Sequence, residues 1–446
     1  MDSITLENFR CFRERQEARL APLTLLVGEN STGKTSFLAL VRALWELGYT
    51  FRNPDFKQEP YDLGSFDEIV HDRGSKEGQA DWFQAGFRTK SGPKSKPSVS
   101  VQFNFEKKGT VPIPVRRHIT RGRTWIDETL QSSKDYILKV GTIRGSWDIK
   151  FPKGLEFPFT IEGDFIVPPS FFLLGGFLRS EQSEELDFVS QNGSPSIEPR
   201  DVKNIRAVSR HLGFAYPEGP FASAPVRSKP RRTYDPSRPT PDPEGDYVPM
   251  YLADMYSQDR EAWTNLKQIL QEFGKDAGLF DEISIRRLGR KGSEPFQVQI
   301  RQSGGQSQSP RRNLIDVGYG VSQVLPVVTE LLRPNAPHTF LLQQPEVHLH
   351  PSAQAALGSL FCKTAGSNRQ IIVETHSDYL LDRVRMDIRD GKGNLKPEDV
   401  SILYFERGDM DAHIHSLRID EEGNILDAPD SYRSFFMEET AKSLGL

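Results

Sequence analysis

Eight residues near the N-terminus carry the most specific chemistry in the chain. Gly28-Glu-Asn-Ser-Thr-Gly-Lys-Thr35 fits the phosphate-binding pattern G-x-x-x-x-G-K-[ST] at every fixed position. The apolar run Leu23–Val27 precedes it and reads as a strand buried on both faces. A helical pattern follows from Lys34, with Phe37, Leu40, Val41, Leu44 and Leu47 on one side and Gly48 read as its stop. In such a strand–loop–helix, Gly28, Glu29, Asn30, Ser31, Thr32 and Gly33 offer backbone amides to a β-phosphate, and the helix N-terminus adds positive potential. Lys34 would neutralise the β- and γ-phosphates, and the Thr35 hydroxyl would ligate magnesium.

Two further regions bear on the same chemistry. LIDVGYGVSQVLP (314–326) is a Gly-rich turn running straight into a helix. FLLQQPEVHLHP (340–351) is followed by IIVETHS (371–377). A lone histidine after a strand is ordinarily a core or surface residue. His376 comes about 30 residues beyond a Pro-marked apolar strand, in a chain that also holds a phosphate loop, and that favours a γ-phosphate sensor.

The elements that must position these residues fall at the two ends of the chain. At the C-terminal end a helix is expected over about 321–332, a strand over 339–343, a helix over 351–364 and strands over 370–374 and 401–405. At the N-terminal end, strands over 3–9 and 23–27 flank the loop. Between them, strand-like pieces at 98–105, 136–140 and 147–151 alternate with turn signals and read as an antiparallel β subdomain with a flexible tip at 90–96. Residues 175–215 read as mixed and helical, and 217–247 holds eight prolines and is expected to have no regular structure. A helix over 260–274, with Trp263, Leu266, Ile269, Leu270 and Phe273 inward, and strands over 282–288 and 296–301 complete the reading. The fold class is α/β: a nucleotide-binding head split by a long insertion. Its parts are residues 1–85, with the phosphate loop; 86–260, the β-rich and helical insertion; and 261–446, the returning part of the head.

Composition narrows the class. The 446 residues carry 57 basic and 61 acidic side chains, so a histone-like coat for nucleic acid is excluded while a local basic groove is not. No window of 18 apolar residues is present, and the charged N-terminus does not read as a signal peptide, so no membrane and a cytoplasmic location are expected. Two cysteines, Cys11 and Cys362, exclude a disulfide scaffold.

Together, ENFRCF, GENSTGKTSFL, VGYGVSQVLP, QPEVHLHP and ETHS resemble the ABC-type ATPases of the RecF, SMC and OLD group. The likeness is greatest to AAA ATPases of bacterial defence operons that look like OLD heads without a nuclease. It extends over about 1–80 and 220–446, including RSFFMEET near the C-terminus. The resemblance implies an ABC-type P-loop ATPase head binding ATP and Mg²⁺. It matches Gly28–Ser36 to the Walker A loop and Arg10 to an arginine near the nucleotide. Gly318, Tyr319, Gly320, Val321 and Ser322 match the signature that covers the γ-phosphate of a second subunit. Val347–His350 match the D-loop and His376 the switch histidine.

The chain departs from that pattern where acids are expected. Gln343 and Gln344 stand at the magnesium-anchoring and water-polarising positions, and a neutral amide cannot take up a proton. Either the subgroup tolerates glutamine or one of them replaces a glutamate. Glu346 and Glu374 are the remaining acids that could compensate, with a solvated turn as the plain alternative for Glu346.

Other signals are discounted. QSGGQ (302–306) is followed by no helix and reads as a hairpin loop. Glu406, Asp409 and Asp411 read as a turn, because the thirty-five residues after Asp411 are too few for a Toprim domain. His348 and His350 lack partners at zinc spacing. Arg116, Arg117, Arg121 and Arg123; Arg227, Lys229, Arg231 and Arg232; and Arg286, Arg287, Arg290 and Lys291 form three basic clusters, each a solvated loop or a phosphate-bearing surface. The second resembles a PLRxxPxR stretch of the family, so part of it is expected to be structural or near the nucleotide.

The leading expectation is an ATP-binding and ATP-hydrolysing dimerisation switch. It would form a homodimer or higher homo-oligomer through ATP-sandwiched heads and regulate a separate effector, a nuclease or toxin, in antiviral defence or DNA maintenance, with nucleic acid as a further partner. The alternative is an ATP-stabilised scaffold with little or no hydrolysis. A transporter ATPase fits poorly with the long insertion.

Overall fold

A computed structural model describes residues 1–50, 54–74, 78–90, 97–130, 136–150, 187–191, 193–209, 219–291, 294–302 and 309–432. The chain forms two compact units, each assembled from separate stretches of sequence. The first comprises Met1–Leu20, Glu29–Gly219 and Phe405–Ile414; the second comprises Ala21–Gly28, Pro220–Tyr404 and His415–Leu446. Among the described residues no helix is long and apolar enough to cross a membrane.

The first unit is built on a nine-stranded antiparallel sheet. Its order is Asp187–Ser190, Gly145–Lys150, Tyr136–Thr142, Thr124–Leu130, Val111–Arg121, Val99–Lys108, Trp82–Thr89, Ser3–Glu7 and Gln16–Arg19. In Val99–Lys108, Val99, Val101, Phe103 and Phe105 are buried, the period-two pattern of a sheet with one covered face. Phe83 and Phe105 stack with ring centroids 4.4 Å apart, and Phe56 meets both edge-on. The phosphate-loop helix, Lys34–Trp45, buries Phe37, Leu40, Val41 and Leu44 as its periodicity requires. Gly48 does not stop that helix. It lies in a π-helical turn, Glu46–Thr50, where a Cβ would come within 2.5 Å of the Phe87 ring, so the glycine serves a close approach.

The second unit holds the parallel strands. The seven-stranded sheet runs Phe221–Ser223, Thr339–Gln343, Gln370–Glu374, Leu23–Gly28, Val400–Arg407, Ala412–Ile419 and Ile425–Leu426. The first four strands pair in parallel. Leu23, Leu25, Phe340, Leu342, Ile371 and Val373 belong to one buried core with the helices Tyr319–Leu332 and Pro351–Thr364. The strand Phe221–Ser223 corrects the expectation that 217–247 holds no regular structure: three residues of it add a parallel edge. The helix Arg260–Asp276 is capped by the Asp259 side chain and buries Trp263, Leu266, Leu270 and Phe273, but Ile269 is on its exposed side.

The strands at 82–89, 111–121, 124–130 and 412–419 were not among those expected, because their polar positions blur the alternation. Asp409 and Asp411 lie in the expected turn, closed by Gly408 N donating to Asp411 O at 2.8 Å, but Glu406 belongs to the strand Val400–Arg407. Within 175–215 the described residues give the strand Asp187–Ser190 and the helix Pro199–Ser209. Most of the 90–96 tip, most of the 302–306 loop and the RSFFMEET segment lie outside the described residues.

Candidate nucleotide-binding site

The phosphate loop is held by its own side chains. Lys34 Nζ donates to Glu29 O at 2.5 Å and Thr32 Oγ1 donates to the same carbonyl at 2.8 Å. Gly33 caps the helix in the left-handed region at φ 90°, and a Cβ there would come within 2.5 Å of Cys11 Sγ and 2.8 Å of Phe12 Cζ. Glycine is therefore required on steric and conformational grounds at once. Ser31 is also left-handed, at φ 62°, and alternation of right- and left-handed residues is the backbone geometry from which anion-cradling loops are built. Cys11 Sγ donates to Thr32 O across 3.5 Å and Arg407 Nη2 to Asn30 O across 2.8 Å, so the loop is supported from outside as well. Burial pushes the Cys11 thiol up to about 11, which makes it an inert prop.

Arg10 adjoins Cys11, but its guanidinium donates to Leu63 O at 2.8 Å. Its nucleotide role rests on the resemblance alone.

In the second unit, register brings the remaining candidates together. Leu26 pairs with Glu374, and Glu374 with Gln343. The strand that leads to Gly28 therefore ends beside the strand that leads to His376, which ends beside the strand that leads to Gln344. Thr375 N donates to Leu26 O at 3.1 Å, and Gln344 N to Glu374 O at 2.9 Å. The carboxyl ends of adjacent parallel strands are where α/β sheets bind ligands.

Glu346 is not a solvated turn residue. It is buried, and its Oε1 accepts from His376 N at 2.8 Å. Burial raises its carboxyl above the usual range, opposed by the His376 amide and by the Arg227 guanidinium. Gln343 and Gln344 are half-buried, and Gln344 adopts the left-handed region at φ 41°. His376 itself is exposed.

The Gly318–Ser322 segment opens the helix Tyr319–Leu332, with Gly318 at the cap and open space around it. Gly320 is different. A Cβ there would meet His348 O at 2.8 Å, so the first turn of this helix rests on the backbone of the Val347–His350 loop of the same chain. His348 packs edge-on against Tyr319, ring centroids 5.0 Å apart, and His350 caps the next helix by accepting from Ser352 N.

Two of the three basic clusters are partly engaged within the chain. Arg116 pairs with Asp127, Arg117 with Glu128, Arg231 with Asp246 and Arg232 with Asp316. Arg227 is buried, its Nη2 3.4 Å from both Gln343 O and Gln344 O. It belongs to the site's surroundings, and only the likeness of its segment to PLRxxPxR pointed toward it.

Two family models match the sequence. Residues 228–382 match "AAA domain, putative AbiEii toxin, Type IV TA system", and residues 1–79 match "AAA ATPase domain". With the P-loop and parallel sheet, these matches support an ABC-type ATPase head and, in general terms, ATP binding and hydrolysis. No curated protein matches the sequence. Among solved structures, one described as the SmcHead bound to the C-winged helix domain of ScpA is 10% identical, covers 94% of this chain and 98% of its own, and has a TM-score of 0.48. The SMC head domain from Thermotoga maritima is 12% identical over 93% and 98%, with a TM-score of 0.36. A Pyrococcus yayanosii Smc head domain with a coiled coil and joint is 9% identical over 95% and 97%, with a TM-score of 0.42.

Proposed function

We propose that this chain is an ATP-driven association switch. ATP bound at Gly28–Ser36 would be covered by Gly318–Ser322 of a second copy, and the paired heads would regulate a separate effector in antiviral defence or DNA maintenance. The observation that carries the reading is the register Leu26–Glu374–Gln343, which sets the strand feeding the phosphate loop beside the strand that leads to His376, and that strand beside the one that leads to Glu346.

Lys34 would hold the β- and γ-phosphates. The Thr35 hydroxyl and the Gln343 amide oxygen are the candidate Mg²⁺ ligands. Both are hard, neutral oxygens, which suit an ion that takes much of its shell from phosphate and water. The ion, when bound, supplies charge neutralisation on the phosphates. Glu346 is the acid best placed to accept a proton from water, and His376, whose backbone holds that carboxylate, would contact the γ-phosphate. The toxin–antitoxin description of the family matched over 228–382 supports an effector partner.

A second reading, an ATP-stabilised scaffold with little hydrolysis, is favoured by the two amides at Gln343 and Gln344. Phosphate release measured together with light scattering in ATP tests both. A switch shows ATP-dependent association followed by release and turnover. A scaffold shows association that persists with nucleotide intact. No ATP-dependent association at all would refute both.

A further inference from the structure

Arg227 lies four residues beyond the edge strand Phe221–Ser223 and is 2% exposed, one of the largest fully buried side chains among the described residues. Its backbone is seated on the Gly318–Ser322 helix: Arg227 N donates to Gln323 Oε1 at 3.2 Å, and Gln323 Nε2 donates to Arg227 O at 3.3 Å. Gln323 directly follows Ser322 and is itself 1% exposed. The side chain reaches the other way, with Nη2 between the carbonyls of Gln343 and Gln344.

Those carbonyls flank the left-handed residue of the turn, a conformation that a glutamine holds only when its surroundings impose it. Gln344 O also accepts from Val347 N, and Glu346 O from Leu349 N, so the turn is a short hydrogen-bonded unit with Arg227 beneath it. Arg227 Nε and Nη1 have no acceptor among the described residues, so the guanidinium keeps spare donors, and its charge acts on the buried Glu346 carboxylate.

We propose that Arg227 is a positioning residue that joins the helix beginning at Gly318–Ser322 to the Gln343–Glu346 turn. It transmits association at the first to the geometry of the second. This rests on the switch reading above. A guanidinium suits the task because its terminal Nη2 carries two N–H groups and so serves both carbonyls, while its permanent charge acts on the Glu346 carboxylate. An ammonium would supply the charge on a single nitrogen, without the rigid plane that fixes where Nη2 sits.

The test uses the full chain and three variants, Arg227→Met, Arg227→Lys and Gln323→Leu. Amide hydrogen exchange across 343–349 reports the turn whether or not the protein hydrolyses ATP. Arg227→Met and Gln323→Leu should each speed exchange there by about 10-fold. Each should also lower kcat by about 10- to 100-fold, the effect of displacing a reacting group, and leave the KM for ATP within about threefold. The double variant should be no worse than the poorer single, because both break one chain of contacts. Arg227→Lys should fall between wild type and Arg227→Met, and with Gln323→Leu it decides the matter if Arg227→Met does not fold. Exchange across 343–349 within twofold of wild type in the folded variants would overturn the inference. So would loss of ATP affinity and thermal stability with kcat per nucleotide-binding molecule intact, the mark of a merely structural arginine. Glu346→Gln separates the two claims: wild-type turnover in that variant sinks the base assignment for Glu346, while the exchange arm still judges Arg227.

Discussion

His376 N donates to the Glu346 carboxylate across 2.8 Å, although the two residues stand on different strand ends. The exposed imidazole that would read a γ-phosphate and the buried acid that would activate water are thus fixed to each other through the backbone. A shift in one moves the other.

Replacing Lys34 with alanine should abolish measurable ATP binding without unfolding the loop. Loss of a lysine bridging two phosphates removes charge-assisted hydrogen bonds of about 1.5–3 kcal/mol each, or about 10²-fold or more in affinity. Thr32 Oγ1 still satisfies Glu29 O, so the melting temperature should change little. Unchanged affinity in calorimetry would remove the P-loop assignment.

Two glycines of the 318–322 segment should behave differently. Gly318 has open space and sits at the helix cap, where aspartate is a favourable residue. Gly318→Asp should therefore preserve folding and ATP binding by the single head, yet prevent ATP-dependent association by setting a negative charge against the partner's nucleotide. Gly320→Ala should instead disturb the His348 loop of its own chain, costing about 1–3 kcal/mol through overpacking. Light scattering with ATP and thermal melts distinguish them. Association by Gly318→Asp equal to wild type would displace the signature from this segment.

Glu346→Gln should act oppositely on turnover and stability. Removing the acceptor of a proton lowers kcat by about 10²- to 10⁴-fold. The folded-state carboxyl lies above its ordinary value, so the folded form prefers it neutral. Its contribution to stability is full at low pH and is lost as pH rises through the raised value. The amide escapes that loss, so the variant should melt higher than wild type at pH 8 and by a smaller margin at pH 5. A variant less stable at pH 8 would mean that Arg227 and the His376 amide outweigh burial.

Glutamate at Gln343 or Gln344 should raise turnover. Either change restores a carboxylate with almost no change in volume, and a positioned base contributes about 10²- to 10⁴-fold. Phosphate-release assays on both variants check it. If neither exceeds wild type while Glu346→Gln is inactive, Glu346 alone carries the proton.

The strands Thr339–Gln343, Gln370–Glu374 and Phe296–Arg301 and the helix Pro351–Thr364 were legible to the residue, because each is a local apolar pattern closed by a turn or proline. The strand and helix that flank residues 29–33 were legible because the glycine and lysine spacing of a phosphate loop demands them. Arg227 was not legible, except through the likeness of its cluster to PLRxxPxR: its partners lie 116 and 117 residues away, and nothing local marks a buried arginine. Nor was the demand on Gly320, which comes from a carbonyl in another loop, or the burial of Glu346, which a turn-like QPE hides.

The strand Leu23–Gly28 is synthesised early, but its sheet neighbour Gln370–Glu374 leaves the ribosome only about 350 residues later. At common elongation rates of about 5–20 residues per second, that delay lasts tens of seconds. Throughout it the apolar edge of Leu23–Val27 has no native neighbour on that side. Closing a parallel pair over such a separation is also intrinsically slow. Production of this protein should therefore depend on chaperones that shield nascent chains, and slower synthesis at lower temperature should improve its soluble yield.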